Sequence, residues 1–159
     1  MSELCNLRDA AEYIVKQFDG TISTMKLQKL LYFSQGWCLA LLNRKLVDTT
    51  FEAWKWGPVS RPLYAYHRQM MEAKSGIFHG NPRAITGNNQ KIIDAVIQNY
   101  GGLSGMQMGE LTHQPGTPWS NARALHGIID QSAPASARIG DDDIRNHFRK
   151  LLFANQGQS

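Results

Sequence analysis

From Thr24 to Leu42 the chain reads TMKLQKLLYFSQGWCLALL, and its only charged side chains are Lys26 and Lys29, both near the start. Leu27, Leu30, Leu31, Ser34, Cys38 and Leu41 recur at helical spacing along one stripe. Tyr32, Phe33, Gly36, Leu39 and Ala40 fill the opposite side, so the charged face of an ordinary surface helix is missing. A helix apolar all round has to be covered on most sides. The expected fold is therefore mainly α, a single compact multi-helix domain packed around a central helix over 24–42, capped by Ser23 or Thr24. Gly36 inside that helix costs about 1 kcal/mol relative to Ala, which the close approach of a neighbouring backbone would offset. Lys26 and Lys29, one turn apart, read as solvated.

The flanking elements follow from caps and periodicity. Asn6 caps a first helix carrying Leu7, Ala10, Ala11, Ile14, Val15 and Phe18, with Gly20 as its stop. From Asn43 to Val59 the helical period fails, and Glu52, Trp54 and Trp56 alternate as on an extended segment before a Gly57-Pro58 turn. Ser60 then caps a helix with Pro62 in its first turn and an expected end near Gly76. Ile77–Phe78 and Ala84–Thr86 are β-compatible pieces between turn signals, consistent with a small β-hairpin near 77–86. Further helices are predicted over 89–100, from Ser104 with its Gln107 capping box, from Thr117 with Pro118 at its first position, and from the Asp141–Asp143 triplet. Residues 131–138 read as a loop. The domain is expected over 1–154 with a flexible tail over 155–159.

With 42% hydrophobic and 19% charged residues, the composition is that of an ordered globular chain. The apolar stretch 27–42 is too short and too interrupted to span a bilayer, and the acidic N-terminal residues lack a signal-peptide pattern, so a cytoplasmic, membrane-free protein is expected. Cys5 and Cys38 lack metal-ligand spacing and read as reduced thiols, Cys38 as core filler. A formal charge of +4 comes without any run of five basic residues, which makes nucleic acid a poor partner.

No catalytic spacing is present: His67, His79, His113, His126 and His147 are scattered, and no HExxH, GxSxG, P-loop or GxGxxG motif occurs. No cofactor or metal is implied, and the chain is expected not to be an enzyme. Two readings stand for Trp54, Trp56, Gly57 and Pro58: a binding hot spot beside a rigid turn, or a wedge that packs the long connection onto the central helix. Lys55, Arg61 and Arg68 would give the first reading a basic rim suited to an acidic partner. In LTHQPGTPW, His113 and Trp119 form either a structural corner or part of a partner contact, and a site assembled from His113, Glu110 and Ser120 is the hydrolytic alternative. The candidate partner-binding residues are Trp54, Lys55, Trp56, Pro58, Arg61, Tyr64, His113 and Trp119.

Three blocks occur in the order of a known family. KLQKLLYFSQGWCLAL within Met25–Leu42, FEAWKWGPVSRPLY over Phe51–Tyr64, and Leu103 with Leu111-Thr112-His113 and Pro118-Trp119 resemble the Panacea domain, the SocA-like antitoxin family of bacteria and phages. Residues 72–90 fall in the family's variable middle. The resemblance implies a helical antitoxin that neutralises a cognate toxin by direct binding, or delivers it as an adaptor to a ClpXP-type protease. A phage or prophage regulator of a host protein, and a nucleic-acid binder, are the alternatives.

Overall fold

The computed structural model describes residues 3–128, 130 and 134–157, with the backbone alone for 155–157. In chain order the elements are α1 (Leu7–Lys16), β1 (Thr21–Ser23), α2 (Thr24–Leu42), β2 (Phe51–Trp54), β3 (Gly57–Ser60), α3 (Arg61–His67), β4 (Glu72–Lys74), a 3-10 turn (Pro82–Ala84), α4 (Gly87–Tyr100), α5 (Gly105–Thr112), α6 (Pro118–Leu125), β5 (Ala137–Ile139) and α7 (Asp141–Gly157). The fold is mainly α with a little β, and α2 lies at its centre, against α1, α4, α5, α7 and β3.

The expected caps are in place because each satisfies a donor within its own turn. The side chains of Asn6, Ser23, Ser60, Ser104 and Thr117 accept from the backbone N–H of Arg8, Lys26, Leu63, Gln107 and Ser120. Ser104 and Gln107 form the reciprocal capping box. Leu27, Leu30, Leu31 and Cys38 are fully buried, whereas Leu41 is half exposed.

Gly36 is where α7 docks, and what approaches it is a side chain rather than a backbone. A Cβ built on Gly36 would lie 2.2 Å from the ring of Phe148. Phe148 is fully buried there, its ring meeting those of Trp37 at 5.2 Å, Phe33 at 5.8 Å and Tyr32 at 5.9 Å. The missing methyl of Gly36 is the socket for that ring.

Four expectations change. The hairpin near 77–86 is absent: Pro82–Ala84 forms a 3-10 turn capped by the Asn81 side chain. The β-structure lies elsewhere, with β1 antiparallel to β4 in one ribbon and the order β3-β2-β5 in a three-stranded sheet. Next, α3 stops at His67 rather than near Gly76, since Arg68 turns extended and Gln69 adopts φ 64°. That exit lets Met71 O accept from Thr24 N at 2.9 Å and puts Glu72–Lys74 beside β1. The loop expected over 131–138 contains the start of β5, and residues 129 and 131–133 lie outside the described residues. Finally, the helical backbone of α7 runs to Gly157, past the tail expected from Asn155, with 158–159 outside the described residues.

Gly36→Ala is expected to lower thermal stability despite its better helix propensity, because overpacking costs about 1–3 kcal/mol. In the Gly36→Ala, Phe148→Leu double variant the two losses should add to less than their sum, as measured by chemical denaturation. Full additivity would mean that Phe148 is not seated on Gly36.

Candidate functional site

The long connection after α2 is fixed by polar side chains projecting from that helix. Gln35 Oε1 accepts from the backbone N–H of Leu46 at 2.8 Å and of Val47 at 3.0 Å, while its Nε2 donates to Val47 O at 3.0 Å. Gln28 does the same one stage later: Oε1 accepts from Ser60 N at 2.9 Å and Nε2 donates to Ser60 O at 3.2 Å. Between them Lys29 donates from Nζ to Pro58 O at 3.2 Å. These residues are all buried, so each bond is made away from water.

Held in this way, β2 and β3 form a hairpin whose tip is Lys55 and Trp56. The turn therefore lies one step earlier than the Gly57-Pro58 turn expected from sequence, and those two residues open β3, paired with Trp54 and Ala53. β3 is an edge strand, where a proline removes no ladder bond. Gly57 has φ +121°, and a Cβ there would lie 2.4 Å from Lys29 Cε, so both its conformation and its surroundings demand glycine. From beneath, Trp119 Nε1 donates to Trp54 O at 2.6 Å and Arg123 donates to Ala53 O at 3.0 Å.

Above this frame is an open pocket of about 260 Å³, walled by Met25, Trp54, Trp56, Val59 and Tyr64, with Gln28, Lys29 and His67 among its lining residues. Trp54 and Tyr64 meet edge to face at 4.9 Å, and Tyr64 and His67 at 5.4 Å. Glu52 fixes the Trp54 ring, accepting its Nε1–H at 2.9 Å and a two-pronged contact from Arg61 at 2.8 and 3.1 Å. Those bonds hold the Glu52 carboxyl below its ordinary value.

Of the residues singled out from sequence, Trp54, Lys55, Trp56 and Tyr64 line this pocket together. Trp56 is 56% exposed, with Lys55 Nζ 4.9 Å from its ring centre. Arg61 is at the rim, tied to Glu52, and Pro58 contributes its carbonyl to Lys29. His113 and Trp119 do not line the pocket: their rings meet tilted at 52° with centres 4.0 Å apart under the hairpin, and Trp119 is buried. The residues missed by the sequence reading are Gln28, Lys29 and His67. The available signal was the polar pair Gln28-Lys29 interrupting an otherwise apolar helix.

The electrostatics of the floor are unusual. Lys29 is 1% exposed, and burial pulls its ammonium down to about 7. His67 is lowered by burial and by Lys29; its Nε2 faces Gln28 Nε2 at 3.0 Å, an arrangement that makes the ring the acceptor. His113 is lowered by burial and then by Lys29 and Arg123, with its Nε2 buried and unpartnered among the described residues. Among the described residues no carboxylate pairs with Lys29, and no cluster suited to a metal ion is present.

The geometry defines a mainly α domain that presents an aromatic hairpin and an open, basic-floored pocket. The family model for the antitoxin SocA-like, Panacea domain matches residues 27–120, a span that runs from α2 through the hairpin to Trp119. Antitoxin SocA of Caulobacter vibrioides (strain NA1000 / CB15N) is 35% identical over 145 residues, covering 82% of this chain and 74% of that protein. The chain belongs to the SocA-like antitoxin family. No solved structure matches it. No helix among the described residues is long and apolar enough to cross a membrane.

Because Lys29 binds its proton less tightly when folded, the unfolded chain holds more protons between about pH 7 and the ordinary lysine value of 10.5. Stability should therefore rise with pH above 7, by at most about 1.4 kcal/mol per unit. Cys5, raised by burial from 9.0 to about 11, works in the opposite direction above pH 9. His67, His113 and His147, all lowered by burial from 6.5, add to the rise just above pH 7, so the window to measure is between about pH 8 and pH 9, where the upward slope is expected to vanish in Lys29→Met. An unchanged slope in urea titrations of that variant would show Lys29 to be solvated.

Proposed function

We propose that this chain is a non-enzymatic antitoxin that neutralises a cognate toxin protein by binding it directly through the face around the Trp54–Trp56 hairpin. The observation that carries the reading is the exposure of Trp56 at the lip of an apolar pocket, in a chain of the SocA-like antitoxin family. Tryptophan concentrates interface energy because it buries a large rigid surface at little entropic cost. Here a hairpin whose backbone is anchored to α2 and α6 fixes the position from which that side chain is presented, so the backbone needs little ordering on binding.

Co-expression with the product of the adjacent open reading frame is the direct test: growth should be restored and the two proteins should co-purify. Rescue is expected to persist in cells lacking the ClpXP-type protease, because masking needs no proteolysis. Loss of rescue there would replace masking with adaptor delivery, and absence of any toxic neighbour or co-purifying protein would sink the reading.

Trp56→Ala should weaken the complex by about 2 kcal/mol or more, roughly thirtyfold, with unfolding unchanged because the side chain is mostly in water. Trp119→Ala should instead lower stability by about 3–5 kcal/mol, since that ring is buried and holds Trp54 O. Calorimetry of the complex and urea unfolding of the free chain separate the two effects. Equal effects of both variants on unfolding would return Trp56 to a purely structural role.

A further inference from the structure

The Lys29 ammonium is buried among groups that do not answer its charge. It has three donors and, among the described residues, one acceptor, the Pro58 carbonyl at 3.2 Å. Among the described residues no carboxylate forms an ion pair with it, and the polar side chains beside it carry no negative charge: Thr112 Oγ1, which donates to Gly109 O, and His67, whose Nε2 faces Gln28. The carboxylate on the hairpin, Glu52, is taken by Arg61 and Trp54. Burying an ammonium without a counter-ion costs several kcal/mol, and a methionine of similar shape would avoid that cost.

Lys29 is also one of the residues lining the pocket, whose other walls are mostly aromatic and aliphatic. Lys55 is among the lining residues, and Arg68 lies 5.9 Å from the ring centre of Tyr64, one of the walls. Apolar walls, a cationic floor and a basic margin together fit a short apolar stem ending in one negative charge. We propose that this pocket receives a single acidic side chain, a glutamate or aspartate of the bound protein, with its methylenes against Trp54 and Tyr64 and its carboxylate directed to Lys29. The inference rests on the binding role proposed above and names the chemistry by which the partner is held. A carboxylate arriving from outside supplies a charged acceptor, and because Lys29 is already out of water only the incoming carboxylate has still to be desolvated.

The test uses the intact chain and three capped probes: Ac-Leu-Glu-Leu-NH2, Ac-Leu-Gln-Leu-NH2, and Ac-Leu-Gln-Leu with a free terminal carboxylate. Binding is read from the indole N–H resonances of Trp54 and Trp56. The glutamate peptide should bind with Kd on the order of 1 mM, at least tenfold more tightly than its glutamine counterpart, and Lys29→Met should abolish that preference. Equal binding of the Glu and Gln peptides, or no binding of either, overturns the proposal without needing any variant to fold. Tighter binding of the free-terminus peptide overturns it in favour of a chain end. In the growth assay, full rescue by a folded Lys29→Met chain sinks this inference while leaving the antitoxin role intact. Failure of the unmodified chain to rescue sinks that role and leaves the peptide result to stand alone.

Discussion

The fold depends on α2 reaching sideways with polar groups from inside an apolar core. Gln28, Lys29 and Gln35 bond buried backbone groups at Ser60, Pro58 and Leu46–Val47, with both N–H groups of the last pair taken by one carboxamide oxygen. A connection without regular structure over much of 43–50 can lie against the core only because those groups are answered. Each glutamine makes a donor and an acceptor contact to one short stretch, so register is fixed as well as proximity. A leucine at Gln28 or Gln35 would match the helix better and lose the connection.

That dependence explains why the hairpin is rigid at its base and bare at its tip. Lys29 and Gln28 hold β3 from one side, Trp119 and Arg123 hold β2 from the other, and β5 completes the sheet along Phe51–Ala53. Nothing comparable grips Trp56, whose indole stands in solvent beside Lys55. The two tryptophans that look equivalent in sequence thus have different work: Trp54 is held through its carbonyl and its Nε1, and Trp56 is presented.

How much of this the sequence discloses depends on the range of the interactions. Caps at Asn6, Ser23, Ser60, Ser104 and Thr117 are legible because donor and acceptor lie within three residues of each other. β1, β4 and β5 are illegible because each is three residues long and its partner is distant, as Thr21 with Lys74 and Phe51 with Ile139 show. The expected hairpin at 77–86 failed for the complementary reason: local β-compatibility brings no pairing when Asn81 caps a 3-10 turn instead. In the candidate site the aromatic residues were readable as a group, but Lys29 was not. Its spacing from Lys26 suggested a common solvated edge, whereas in the fold Gly57 lies against its stem and the side chain is buried.

The contrast between those two lysines is instructive about where charge can carry function. Lys26 is partly exposed, reaches Gly101 O and lies 4.6 Å from the Phe18 ring centre, so its removal costs contacts that water can replace. Lys29 is placed differently: among the described residues Pro58 O is the one acceptor it reaches, and burial favours loss of its proton. The same burial that lowers its proton affinity raises the value of an incoming carboxylate, because both follow from removing the ammonium from water. Burial therefore couples protonation to occupancy: a bound carboxylate restores the proton on Lys29, and a neutral pocket favours its loss.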